Sequence, residues 1–151
     1  MKCVIQRVLS AEVGVDCDCM GKIDRGLLVY LGFASGDTTK EADYVVDRVS
    51  KIRIFEDDAG KLNRALDEVG GEVLLIPNFT LYADATTGRR PSFVNAMRFE
   101  QASALFDYCA ARLDTLIDKK CEKGIFGADM KIASVADGPL NIIIEYNNAE
   151  K

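Results

Sequence analysis

Gly26-Leu27-Leu28-Val29-Tyr30-Leu31-Gly32-Phe33 is the stretch on which the fold turns. It is short, rich in branched and aromatic side chains and bounded by glycines, so it reads as a strand rather than a helix. Gly36-Asp37-Thr38 then marks a turn. Thr38, followed three residues later by Glu41, forms a capping box in which hydroxyl and carboxylate satisfy the free N–H groups of a helix start. Behind it Ala42, Val45, Val46, Val49 and Ile52 recur at helical spacing and predict one apolar stripe through about residue 54.

Toward the N-terminus, residues 2–8 alternate and Glu12-Val13-Gly14-Val15 continues the extended pattern. Toward the C-terminus, Phe55 to Leu62 reads as a hairpin with Asp57, Asp58 and Gly60 at its tip. Its acidic pairs lack the ligand spacing of a calcium loop and read as turn chemistry. Gly70-Gly71 interrupts the chain before the buried strand Glu72-Val73-Leu74-Leu75-Ile76, which runs into Pro77-Asn78-Phe79-Thr80-Leu81-Tyr82. Residues 83–92 form a polar loop carrying the adjacent pair Arg89-Arg90. A second helix presents Ala102, Leu105, Phe106, Cys109, Leu113, Leu116 and Ile117 on one face. Strands return over residues 124–132 and 140–146, separated by a turn at Asp137-Gly138-Pro139. Two helices against many antiparallel strands predict a single α+β domain over residues 1–146, with 147–151 a frayed tail.

At 151 residues, 48% hydrophobic and 28% charged, the chain has the composition of one globular domain. No apolar run approaches the roughly 18 residues that cross a bilayer. The opening Met1-Lys2-Cys3-Val4-Ile5-Gln6-Arg7 is too charged for a secretory signal, so a cytoplasmic location is expected. The five cysteines are odd in number and unpaired in spacing. Reduced, buried or half-buried thiols are expected, with Cys17 and Cys19 sharing a strand face. The net charge of −5 argues against broad binding to a phosphate backbone, so DNA is not an expected partner and an RNA would be held by a local patch. Above all the chain contains no histidine. That excludes Ser-His-Asp and Cys-His machinery and imidazole metal sites, and leaves carboxylates, hydroxyls, thiols, amines, backbone dipoles or the substrate itself to do chemistry. No cofactor and no metal site are expected.

Three stretches carry candidate chemistry. At Pro77 to Tyr82 the chain leaves a strongly apolar strand, where consecutive N–H groups can form an oxyanion hole beside the Thr80 hydroxyl; the alternative is simply the next strand. Gly138-Pro139 joins an unusual backbone to an imide lacking an N–H, and can present carbonyls outward as a stiff fence or serve as a plain turn. Phe126-Gly127-Ala128-Asp129-Met130 offers small residues and a flat ring that could receive a nucleobase, or could simply be core.

Taken together and in order, these blocks resemble the D-aminoacyl-tRNA deacylases of the common bacterial and eukaryotic type. The resemblance rests on Val4-Ile5-Gln6-Arg7-Val8, Gly26-Leu27-Leu28-Val29, Ile52-Arg53-Ile54-Phe55-Glu56-Asp57, Phe79-Thr80-Leu81-Tyr82-Ala83-Asp84, Gly88-Arg89-Arg90-Pro91-Ser92-Phe93, Phe126 to Met130 and Asp137-Gly138-Pro139. It implies an α+β fold of mostly antiparallel, barrel-like strands with two main helices. It also implies a homodimer with active sites at the interface, and hydrolysis of D-aminoacyl-tRNA, with glycyl-tRNA as a second substrate, to free amino acid and tRNA. The same resemblance makes Gly138 and Pro139 a cis chiral filter reaching into the partner's pocket, with Arg7 holding it. It gives the N–H groups of Asn78 and Phe79 the ester carbonyl, and Thr80 a structural or positioning role. Phe126, with Gly127 and Ala128, would receive the terminal adenine, and Met130 would line the pocket. Arg89 and Arg90 are candidates for tRNA phosphate contacts. With an activated ester and a vicinal ribose hydroxyl in the substrate, such a site need only position and stabilise charge.

Two positions depart from the family pattern. Pro77-Asn78 stands where Ser-Gln is usual, and Leu140-Asn141 follows Gly-Pro where Val-Thr is usual. These leave two alternatives open: an editing deacylase of relaxed chirality that also takes L-aminoacyl-tRNA, and a catalytically weak paralogue that binds tRNA.

Overall fold

The structure is a computed structural model and describes residues 1–146; the expectation for 147–151 lies outside the described residues. Strand β1 (Lys2–Val15) pairs antiparallel with β2 (Asp18–Ile23) and with β3 (Gly26–Gly32). Helix α1 (Thr39–Lys51) follows, then a hairpin of β4 (Phe55–Glu56) and β5 (Leu62–Arg64), and β6 (Glu72–Pro77). Helix α2 (Phe99–Leu113) leads to β7 (Glu122–Lys123) and the long β8 (Lys131–Glu145).

The main sheet runs β2-β1-β3-β6-β7, with β8 paired along the other edge of β1. Its pairings are mostly antiparallel, as expected, but not all: β3 pairs parallel with β6, and β6 parallel with β7. Parallel neighbours require a crossover, and α1 and α2 each lie in the segment that supplies one. The physical reason is visible in the side chains. Residues 27–31 and 73–76 are buried or nearly so on both faces, as continuous apolar runs in parallel strands are.

On one face Cys3, Ile5, Leu27, Val29, Leu31, Val73 and Leu75 pack against Ala42, Val45, Val46 and Val49 of α1 and Ala102, Leu105, Phe106, Cys109 and Leu113 of α2. On the other, Val8, Val13, Ile23, Leu28, Leu74 and Ile76 form a second core. That second core exists because the sheet curls. A Cβ placed on Gly21 in β2 would lie 3.2 Å from Leu74 of β6 and 3.3 Å from Glu122 of β7, so β2 folds over strands that are not its neighbours in the sheet. The barrel-like form expected from the sequence is therefore present, built on a mixed sheet.

Other expectations are adjusted locally. Helix α1 carries the complete Thr38–Glu41 capping box but ends at Lys51, and Ile52 donates its N–H to Arg48 from an extended conformation. Helix α2 stops at Leu113, so Leu116 and Ile117 sit in the turns beyond it while still packing on the core. Residues 124–130 form a loop, and β8 begins only at Lys131. The turn expected at Asp137-Gly138-Pro139 is instead a bulge inside one continuous strand. Gln6 pairs with Asn141 and Val8 with Ala136, so Asp137, Gly138, Pro139 and Leu140 stand opposite Arg7 alone. Cys17 and Cys19 are both exposed; Cys17 lies in the β1–β2 turn with a φ of 72°, off the strand it was expected to share. Among the described residues no helix is long and apolar enough to cross a membrane.

Candidate active site

The end of β6 sets the site. Leu31 pairs with Pro77, and the next N–H, that of Asn78, donates to the Leu31 carbonyl at 2.7 Å. The chain then enters a single 3-10 turn, Phe79–Tyr82, rather than another strand. This close approach needs Gly32, where a Cβ would sit 2.8 Å from Leu81 Cβ and 3.0 Å from the Asn78 carbonyl oxygen. The Asn78 side chain caps the turn by accepting from the Thr80 N–H at 3.2 Å, and its Oδ1 also accepts from the Thr80 hydroxyl.

This geometry bears on two of the expected roles. Asn78 gives its N–H to the sheet, so of the two donors assigned to an ester oxygen only the Phe79 N–H has no partner among the described residues. The Thr80 hydroxyl faces a carboxamide, which cannot take up its proton as a general base would. No activating base faces the Thr80 hydroxyl among the described residues.

Phe79 is 55% exposed and meets Phe93 edge-on, with ring centroids 5.2 Å apart. Phe93 arrives on the loop that follows Tyr82. That loop is tied back by mutual Asp84–Ser92 backbone bonds of 2.8 Å, by Ser35 N–H to Asn95 at 3.1 Å and by Met97 N–H to Phe33 at 2.9 Å. From the other side comes the loop after β7. Its Gly124 N–H bonds the Leu75 carbonyl at 2.9 Å, and Phe126 lies between Phe99 (5.1 Å, edge-on) and Phe106 (6.0 Å, tilted). Gly127 has a φ of 80°, and a Cβ there would stand 2.5 Å from the Phe99 ring. Glycine is required at this position both by conformation and by space.

Pro77, Phe79, Met97, Phe99, Phe126 and Gly127 thus enclose a cleft of about 260 Å³. Its walls carry flat rings, a thioether and backbone, and none of these side chains ionises in the range where enzymes work. Shape, stacking and backbone dipoles are the tools such a cleft offers, which is what a nucleobase or an ester carbonyl can use.

The remaining sequence-derived positions fall elsewhere. Ala128 and Met130 are half-buried outside the cleft wall, and Met130 packs on the second core beside Gly124. Arg89 and Arg90 are exposed on the polar loop and form no ion pair among the described residues. Gly138 and Pro139, joined by a cis peptide bond, are exposed on the bulge of β8 and contribute nothing to the cleft within this chain. Arg7 is 6% exposed and reaches that bulge: its Nε donates to the Asp137 carbonyl at 3.3 Å and pairs with the Asp137 carboxylate at 3.0 Å, while Nη1 donates to the Ile54 carbonyl at 2.8 Å. The sequence reading missed Met97 and Phe99. Phe99 lies in phase with the apolar stripe of α2, so spacing alone files it with the core; only its 56% exposure separates it.

Comparison with known proteins agrees with this architecture. A D-aminoacyl-tRNA deacylase of Desulfatibacillum aliphaticivorans is 48% identical over 145 residues, covering 96% of this chain and 99% of the relative. One of Caldicellulosiruptor saccharolyticus is 44% identical over 145 residues, covering 96% and 97%. Among solved structures, the c-Myc DNA unwinding element binding protein superposes with a TM-score of 0.92 at 34% identity, over 97% of this chain and 99% of that one. A probable eukaryotic D-amino acid tRNA deacylase superposes with a TM-score of 0.80 at 17% identity over 95% and 97%, a likeness of fold. The chain is accordingly a hydrolase of the ester-cleaving class. It belongs to the D-Tyr-tRNA(Tyr) deacylase family, whose model matches residues 4–145.

Proposed function

We propose that this protein hydrolyses the ester bond of D-aminoacyl-tRNA, releasing D-amino acid and tRNA, as a chiral proofreading step of translation in the cytoplasm. The single observation that carries the reading is the uncharged aromatic cleft at the end of β6, walled in part by Phe79, whose N–H at the start of a turn has no partner among the described residues, and with no titratable side chain in its walls. In this reading the terminal adenine enters between Phe126 and Gly127, and the Phe79 N–H stabilises the charge developing on the ester oxygen. The vicinal ribose hydroxyl assists the attacking water, and the substrate supplies the chemistry that a histidine-free chain does not.

The filter is proposed to come from a second copy. Gly138 and Pro139 stand exposed on β8, and no strand pairs the outer edge of β8 among the described residues. Val135 and Ile143 on the same strand are 54% and 72% exposed. An apolar, unpaired edge of this length favours burial against a twofold mate. A homodimer would bring the bulge of one protomer to the cleft of its partner, and the main-chain carbonyls there would exclude an L side chain. Glycyl-tRNA, with no side chain to exclude, passes the same filter. Arg89 and Arg90 are proposed to meet acceptor-stem phosphates.

The test is a deacylation time course on matched D- and L-tyrosyl-tRNA, with glycyl-tRNA alongside. Loss of the D ester with survival of the L ester is expected. Loss of both at similar rates supports a relaxed editing enzyme; binding of tRNA with neither ester lost above the uncatalysed rate overturns the proposal. Thr80→Val tests the threonine in the same assay, and a rate within a few-fold of the parent is expected if the hydroxyl only positions.

A further inference from the structure

Arg7 is a cation with almost no access to water, and a buried guanidinium persists only with its donors met and its charge balanced. Its hydrogen-bonded acceptors come from two directions. The Ile54 carbonyl, just before the β4–β5 hairpin, takes Nη1 at 2.8 Å, and Asp137 takes Nε both through its carbonyl at 3.3 Å and through its carboxylate at 3.0 Å. The other nearby carboxylate, Glu56, is 3.9 Å from Nη2 and 58% exposed, too distant and too wet to match the Asp137 pair.

Asp137 is also the first residue of the four-residue bulge. At its far end Leu140 packs its side chain on the main core. Between these two anchors Gly138 and Pro139 are exposed. The direction in which their carbonyls point is therefore set by what holds Asp137, and what holds it is the buried cation.

We infer that Asp137 is a specificity-determining positioning residue: its carboxylate draws Arg7 toward the bulge and away from the hairpin, and so fixes the aim of the Gly138-Pro139 carbonyls. The inference rests on the chiral-filter reading above. Removing the Asp137 charge leaves the guanidinium tied to the bulge only through the 3.3 Å bond to the Asp137 main-chain carbonyl, with Ile54 and the one remaining carboxylate, Glu56, on the hairpin side, so the tether weakens without losing a residue that touches substrate.

The experiment compares wild type, Asp137→Asn and Asp137→Glu, with Glu56→Gln as the control on the hairpin side. D- and L-tyrosyl-tRNA deacylation rates are measured on protein whose melting curve is cooperative. The D-to-L rate ratio is expected to fall about tenfold or more in Asp137→Asn, the worth of one charge-assisted hydrogen bond. It is expected to fall in the same direction but less in Asp137→Glu, where the carboxylate is kept and displaced by a methylene. Glu56→Gln is expected to fall less than either. A ratio within twofold of wild type in both folded Asp137 variants overturns the inference while leaving the deacylase reading intact, and a larger fall in Glu56→Gln than in Asp137→Asn overturns it too. If Asp137→Asn does not fold, Asp137→Glu decides alone. A wild type that cleaves neither ester removes the reading beneath it, an outcome distinct from an unchanged ratio.

Discussion

Gly127→Ala is the perturbation that questions the cleft most directly. Gly127 has a φ of 80°, where an L residue with a Cβ is held at a cost of about 1–2 kcal/mol. The new methyl would also lie 2.5 Å from Phe99 Cε2 and 3.1 Å from its Cζ. These are ring carbons at the rim of the cleft, so relief comes by swinging Phe99 away from the Gly127 backbone. That motion breaks the 5.1 Å edge-on packing with Phe126 and reshapes a cavity of only about 260 Å³. For a chain of this length each kcal/mol lowers the melting temperature by roughly 2–4 °C, so a drop of roughly 2–8 °C is expected. If an adenine stacks here, its contribution of about 1–3 kcal/mol is removed or weakened, and KM for aminoacyl-tRNA should rise roughly 5- to 150-fold. Phe126→Leu, which keeps apolar volume and removes the ring, should reproduce the KM effect with less loss of stability. Differential scanning fluorimetry and steady-state deacylation check both. A Gly127→Ala enzyme whose melting point falls while KM stays at the parent value refutes the assignment of this cleft to the nucleotide.

Three further outcomes follow from other parts of the molecule. Replacing Arg89 and Arg90 together with alanine should lower tRNA affinity and flatten its dependence on log salt by roughly 1.4–1.8, about 0.7–0.9 for each phosphate no longer neutralised; an unchanged slope in a filter-binding titration removes both residues from the RNA interface. In the native protein Cys17 and Cys19 should be alkylated by iodoacetamide long before Cys3, Cys109 and Cys121, since burial pushes the Cys109 and Cys121 thiols up to about 12, with nearby carboxylates adding to it, and Cys3 further still. Mass spectrometry of partially labelled protein reads the order, and early labelling at Cys109 contradicts the packing of α2. Glu41 is held below its ordinary value: burial opposes its charge, but the hydrogen bonds from the Thr38 hydroxyl and N–H, its own N–H and the Lys40 charge outweigh it. A depressed carboxylate contributes stability that is full above its unfolded value near 4.3 and is lost as pH falls through the folded value. Thr38→Ala should therefore lose about 1 kcal/mol at neutral pH and lose less below pH ~4; a constant deficit across urea melts from pH 3 to 7 is the contrary result.

The sequence was most legible where one local interaction decides the outcome. The capping box, the apolar stripe of α1 and the hairpin tip at residues 57–60 are all settled by neighbours within a few residues, and all are present. Strand direction was not legible. Residues 27–31 and 73–76 read as buried strands, but apolar side chains on successive positions show only that both faces are covered, and direction is decided by the crossovers between them. The interruption at Gly138-Pro139 was legible as an irregularity but not as a bulge, since a bulge is defined by its partner strand and Arg7 lies 130 residues from Asp137. In the candidate site, Phe79 announces itself by leaving a strand pattern, whereas Phe126 lies within residues 124–132, which read as strand and fold as a loop up to residue 130. Phe99 gives no such signal, and the diversion of the Asn78 N–H to Leu31 depends on a register that only folding creates.

The pairing of β1 with β8 has a consequence for how the chain emerges from the ribosome. Val15 and Lys131 are separated by more than a hundred positions, and elongation at about 5–20 residues per second puts the two apart by roughly 6–23 s. Throughout that interval β3 can zip onto one flank of β1, yet the opposite flank offers its amides and carbonyls to whatever strand drifts past. On a polysome the commonest such strand is the β1 of a sister nascent chain. Slower synthesis lengthens this window, and a chaperone that covers the open flank of β1 shortens the exposure.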